Sequence, residues 1–142
     1  MIAAADLLQS DWGIAGDVWS VTSFTELRRE GIDVERWNML HPLSEPRRPY
    51  VAELLSEAPA VAATDYIRAF ADQIRQWVPG RYRVLGTDGF GRSDFRRALR
   101  RFFEIDRHYV VVAALRELDP KLAAEAIKRY DLDPEAPLPT TV

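Results

Sequence analysis

Tyr82-Arg83-Val84-Leu85-Gly86-Thr87-Asp88-Gly89-Phe90-Gly91-Arg92-Ser93-Asp94 is the stretch on which the fold turns. It opens with an apolar run that reads as a strand and passes through a glycine-rich loop. From about Asp94 it continues into an arginine-rich amphipathic helix. Phe95, Ala98, Leu99 and Phe102 form that helix's apolar stripe, and Arg96, Arg97, Arg100 and Arg101 are expected to face away. The order strand, small polar residue, helix is the repeating unit of an α/β protein.

The same order recurs twice upstream. Asp17-Val18-Trp19-Ser20-Val21-Thr22-Ser23 alternates side-chain types with β-branched residues, as a strand does. Ser23 and Glu26 then form an S-x-x-E capping box that starts a helix through Leu27 to about Arg29 or beyond. Pro59 to Asp65 reads as a short buried strand, with Asp65 positioned to cap the next helix. That helix carries Ile67, Phe70, Ala71, Ile74 and Val78 on one face, and Pro79-Gly80 ends it. Between these units lie a proline-broken stretch, 41–49, and a short helix starting near Tyr50 behind Pro49. Periodicity alone allows strand or helix for Tyr109–Leu115. Helix is favoured because Val110, Val111, Ala114, Leu115 and Leu118 share a face. Asp119-Pro120 opens a last helix to about Tyr130. The expected division is an α/β domain over residues 1–132 and an extended or disordered proline-rich tail over 133–142.

Repeated strand-to-helix units imply a mainly parallel sheet with helices packed on it. Ser23, Asp65, Thr87 and Asp88 would then gather at the carboxyl edge, where open α/β sheets bind ligands. Helix capping already accounts for such residues.

Composition narrows the chemistry. With 142 residues, 47% apolar and 29% charged, the chain matches one ordinary globular domain. A formal charge of −3 gives no global attraction to nucleic acid or anionic membranes. The absence of cysteine excludes disulfides, thiol catalysis and cysteine-ligated metals. The start of the chain resembles no signal peptide, and no apolar run is long enough to cross a bilayer, so a cytoplasmic protein is expected.

Gly86 to Ser93 falls one residue short of a Walker A loop, with Arg92 where lysine belongs. A planar guanidinium does not replace a compact ammonium there, and Asp88 would set a carboxylate inside a phosphate cradle. Gly86, Gly89 and Gly91 run G-x-x-G-x-G, the wrong order for a dinucleotide fingerprint. Even so, a small phosphate- or nucleotide-binding α/β module using Gly86–Ser93 is the alternative reading. The arginine cluster from Arg92 to Arg101, with Arg107 beyond, reads as a solvated helix face paired with Asp94, Glu104 and Asp106. Docking of an acidic partner is its functional version. His41 reads as structural and His108 as an exposed residue at a helix start. Trp12, Trp19, Trp37 and Trp77 suit core or interface packing.

Four blocks in order, Asp17–Gly31, Glu35–Pro42, Ala58–Tyr66 and Tyr82–Asp94, with Tyr109–Leu115 beyond, resemble the carboxyl-terminal domain of the homodimeric bacterial pyruvate dehydrogenase decarboxylating component. The resemblance implies a transketolase C-terminal-like α/β three-layer sandwich with helices on both faces of a mainly parallel sheet. It also implies a parent that uses thiamine diphosphate and Mg2+ to decarboxylate pyruvate and acetylate the lipoyl arm of dihydrolipoyl acetyltransferase. In that family the cofactor is held by the preceding domains. The cofactor signature needs Gly-Asp-Gly followed by asparagine. Here the nearest approach is Thr87-Asp88-Gly89, and the one asparagine, Asn38, lies upstream. The expectation is therefore no catalytic, cofactor or metal residue in this chain. Thr87, Asp88, Gly89, Phe90, Gly91, Arg92 and Ser93 are expected as an interface or ligand loop. Expected partners are the upstream domains, a second subunit and dihydrolipoyl acetyltransferase, with no nucleic acid and no membrane. The family's domain opens with a strand before the helix at Ile2 to Asp11, so the chain is expected to lack its first strand and to be a piece of a longer enzyme.

Overall fold

A computed structural model describes residues 1–141. The elements run α1 (Ile2–Trp12), α2 (Phe24–Leu40), α3 (Tyr50–Leu54), β1 (Ala60–Ala63), α4 (Arg68–Asp72), β2 (Tyr82–Leu85), α5 (Arg96–Phe102), α6 (Arg107–Leu118) and α7 (Pro120–Arg129). Single 3-10 turns follow α4, at Arg75–Trp77, and close the described chain, at Pro139–Thr141. β1 and β2 pair in parallel, from Ala60 opposite Tyr82 to Ala63 opposite Leu85.

Side chains of this small sheet divide between two clusters with a strand's two-residue alternation. Val61, Ala63 and Leu85 pack against a core of Ala4, Val110, Val111, Leu115, Ala123 and Ala126, supplied by α1, α6 and α7. Ala60 and Tyr82 pack the other way, against Val51, Ile74, Trp77 and Val78. Helices thus cover both faces, the layered α/β arrangement implied by the strand-to-helix pattern. Trp12 and Tyr130 tie α1 to the end of α7: Trp12 Nε1 donates to Tyr130 Oη at 2.9 Å, and Tyr130 Oη donates to Asp11 at 3.0 Å. Arg129 Nε lies 3.2 Å from the same Asp11 carboxylate.

Local signals place most helix ends. Ser23 Oγ accepts from Glu26 N at 3.2 Å and starts α2. Asp106 accepts from the amides of His108 and Tyr109 and starts α6. Asp119 accepts from Lys121 N, with Pro120 in the first helical position of α7. The 109–115 run is helical, with Val110, Val111 and Leu115 buried.

Five expectations are corrected. Asp17–Ser23 is not a strand: it carries no ladder partner among the described residues, and Val18, Trp19 and Val21 are exposed. Alternation and β-branching favour extended backbone, but strand structure requires a neighbour to bond. The helix after β1 is not capped by Asp65. Ile67 occupies the cap position, and the helix shortens to α4 plus a 3-10 turn that buries Ala71, Ile74 and Val78 but leaves Ile67 and Phe70 exposed. α5 begins at Arg96, and Phe95 stands in solvent rather than on its apolar stripe. His108 is half-buried, stacked on Tyr130 with ring centres 4.6 Å apart. The segment after Asp133 is not simply extended: it folds back, buries Pro139 and lies against Gly89.

Candidate functional site

The loop after β2 packs directly on the connection between β1 and α4. A Cβ at Gly86 would stand 2.7 Å from Arg68 N and 2.8 Å from Tyr66 O, so only glycine lets the two backbones meet. Next to it, Thr87 N donates to Tyr66 O at 2.9 Å, and Thr87 Oγ1 donates to Asp65 O at 2.9 Å. Asp88 Oδ1 accepts from Arg68 N at 3.1 Å. Its other oxygen lies 2.9 Å from Arg68 Nε, whose N–H points off the oxygen, so that contact is ionic rather than hydrogen-bonded.

Beyond Asp88 the loop turns outward. Gly89 adopts φ +113°, with Pro139 O 3.0 Å from where a Cβ would sit. Phe90 is 82% exposed and Gly91 has open space around it. Arg92 lays its guanidinium over Phe102, 4.1 Å from the ring centre. Ser93 is exposed, and Asp94 accepts from Phe95 N.

Asp65 lies at the carboxyl end of β1, where an open sheet places ligand-binding groups. Its carboxylate is taken by Arg100 of α5, with Nε and Nη2 at 3.1 and 2.7 Å. The hydrogen bond from Arg100 holds its carboxyl below the usual carboxylate range, against a smaller opposing effect of burial. An open cleft of about 500 Å³ lies between the loop and α5, with Leu99, Phe103 and Ile105 as its apolar side; Arg92, Arg96 and Arg100 line it together with Asp65 and Asp94. On the α6 face of the sheet, Arg83 donates to Glu117 at 3.0 and 2.6 Å. That bond is the main cause that lowers the Glu117 carboxyl.

Asp65, Thr87 and Asp88 therefore meet at the carboxyl edge, as the strand-end pattern predicts, whereas Ser23 is occupied in capping α2. His41 is structural: its Nδ1 is 2.8 Å from Trp37 O, and its ring stacks on Trp37. Sequence reasoning missed Arg68 and Arg100 as the counter-ions of this edge. They sit 20 and 35 residues from their partners, and no local spacing marks such contacts.

The arrangement is poorly suited to a phosphate. A phosphate loop needs free amides converging on an anion and a helix opening directly behind it. Here Thr87 N bonds Tyr66 O, the Asp88 carboxylate fills the space before Arg68 N, Arg92 rests on Phe102, and α5 starts only at Arg96. A thiamine diphosphate pyrophosphate with its metal fits no better, because Asp88, the one aspartate in the matching position, already faces Arg68.

Residues 1–106 match the family described as the transketolase-like TK C-terminal domain. The chain is 58% identical to a pyruvate dehydrogenase E1 component of Cupriavidus necator over 150 aligned positions, taking in 100% of this chain and 17% of that protein. It is 57% identical to one from Pseudomonas aeruginosa, with 93% of this chain and 16% of that protein aligned. With one from Escherichia coli K12 the identity is 58%, over 92% of this chain and 15% of that protein. The chain thus spans 15–17% of the length of these relatives.

Proposed function

Because the chain belongs to the transketolase-like C-terminal domain family, we propose that it serves as the carboxyl-terminal structural and dimer-interface domain of a pyruvate dehydrogenase. The parent would be a cytoplasmic, acetyl-transferring, homodimeric enzyme that uses thiamine diphosphate and Mg2+. It would decarboxylate pyruvate and pass the acetyl group to lipoyl groups of dihydrolipoyl acetyltransferase. The observation that carries this reading is identity of 57–58% to pyruvate dehydrogenase E1 components across at least 92% of the chain.

In this reading residues 1–132 are the domain and 133–142 its proline-rich tail. The domain contributes packing surface, while cofactor and substrate bind to upstream parts of the enzyme. Thr87 to Ser93 form a contact loop: the close backbone approach at Gly86 and the bonds of Thr87 and Asp88 anchor its base, and Phe90 is left standing in solvent. A large exposed aromatic on a fixed base is a typical interface anchor.

Two measurements test this. The isolated chain with pyruvate, thiamine diphosphate and Mg2+ should release no carbon dioxide; steady turnover would refute it. In the complete subunit, Phe90→Asp should weaken subunit association in sedimentation while the isolated chain keeps its melting temperature. Unchanged association would remove the contact role of the loop.

A further inference from the structure

We propose that the cleft between the glycine loop and α5 docks an acidic segment of a partner protein, seated by one aliphatic or aromatic side chain. This names the chemistry of the partner and rests on reading 87–93 as a contact loop.

Charge is the first observation. Residues 92–101 hold five arginines against one aspartate, a formal +4, which leaves the rest of this −3 chain at −7. Such segregation creates one local positive surface on an otherwise acidic molecule. Among the described residues Arg100 and Arg101 have carboxylate partners, Asp65 and Asp106. Arg96 and Arg97 form no ion pair there and are exposed, while Arg92, likewise without one, is stacked over Phe102. Free guanidiniums present planar donor pairs that match carboxylates.

Shape is the second. The cleft of about 500 Å³ has apolar walls at Leu99, Phe103 and Ile105. Phe90, 82% exposed, lines it as well, and Phe95, 67% exposed, lies in the chain between the lining residues Asp94 and Arg96. An apolar floor with aromatic and cationic neighbours suits a segment in which carboxylates flank an apolar anchor. Arginine beside exposed phenylalanine would also suit single-stranded nucleic acid. A polyphosphate, however, extends far beyond the patch and meets the −7 of the remainder, whereas a short acidic segment does not.

The test is fluorescence anisotropy on the 142-residue chain with a labelled peptide of alternating glutamate and leucine. An all-glutamate peptide of equal length and a uridine oligomer serve as the other probes. The mixed peptide should bind at least about tenfold tighter than either. Arg96→Glu with Arg97→Glu should weaken it at least about tenfold, and Arg28→Glu with Arg36→Glu on exposed α2 should leave it within about twofold. Circular dichroism confirms that both double variants are folded. The proposal falls if the mixed peptide does not bind, if the uridine oligomer binds tighter, or if the α5 and α2 variants behave alike. Such a failure with subunit association still sensitive to Phe90→Asp removes only the acidic partner. Failure of both removes the contact loop as well.

Discussion

Gly86→Ala should destabilise this domain far more than Gly91→Ala, five residues along the same loop. At Gly86 the new methyl meets three backbone atoms of the β1–α4 connection, at 2.7 Å from Arg68 N, 2.8 Å from Tyr66 O and 3.0 Å from Arg68 Cα. Backbone cannot swing aside as a flexible side chain does. Restoring ordinary contact requires the β1–α4 connection to retreat by about 0.7 Å. That retreat stretches the Thr87–Tyr66 bond of 2.9 Å and the Asp88–Arg68 bond of 3.1 Å beyond useful length. Overpacking costs about 1–3 kcal/mol, and each lost hydrogen bond about 1 kcal/mol. Reduced freedom of the unfolded chain returns about 0.4–1 kcal/mol. The net expectation is a loss of about 2–5 kcal/mol, a fall in melting temperature of about 7–15 °C. Gly91 has no neighbour within 4 Å and no positive φ, so alanine there should stay within about 0.5 kcal/mol of the parent. Urea unfolding followed by far-UV circular dichroism separates the two, provided the slope with denaturant is unchanged. Equal midpoints for Gly86→Ala and Gly91→Ala would refute the close backbone approach.

Glu117→Gln tests the ion pair on the α6 face of the sheet. Arg83 holds the Glu117 carboxyl below its ordinary range, so its contribution is present above the unfolded value and is lost as pH falls through the lowered folded one. The variant should lose about 1 kcal/mol at pH 7 and show a flatter acid limb of melting temperature below pH about 4.5; parallel acid limbs would contradict it. Asp106→Ala should cost about 1–2 kcal/mol in the same unfolding assay, because two α6 amides lose their acceptor. Asp106→Asn should recover most of that loss.

Features written in adjacent residues were legible in advance. Ser23 with Glu26, and Asp119 with Pro120, announce helix starts through bonds only two or three residues long, and the structure makes them. The shared face of Val110, Val111 and Leu115 identifies α6 although the run is β-branched, because burial on one side overrides propensity. Asp17–Ser23 misled for the opposite reason: strandedness belongs to a pair, and one sequence segment carries no information about its neighbour. Asp65 misled because a strand-end carboxylate has two competing uses. A bidentate guanidinium from α5, 35 residues away, displaces the local amide. At the loop, Thr87 and Asp88 were legible as edge residues. The return of Pro139 onto Gly89 was not, since proline spacing predicts only an open backbone.

The Trp12–Tyr130–Asp11 contact has a consequence for the order of assembly. Its partners are 118 and 119 residues apart, and the surface that buries Ala4 comes from α6 and α7. On a growing chain α1 is made well before α6 and α7, the helices it packs on. An eleven-residue helix is marginal by itself in water, so the packing that this domain gives α1 waits for α6 and α7. The β1–β2 pair, by contrast, closes over about 22 residues and is available much earlier. Within this domain α7 therefore acts as the clasp that commits α1.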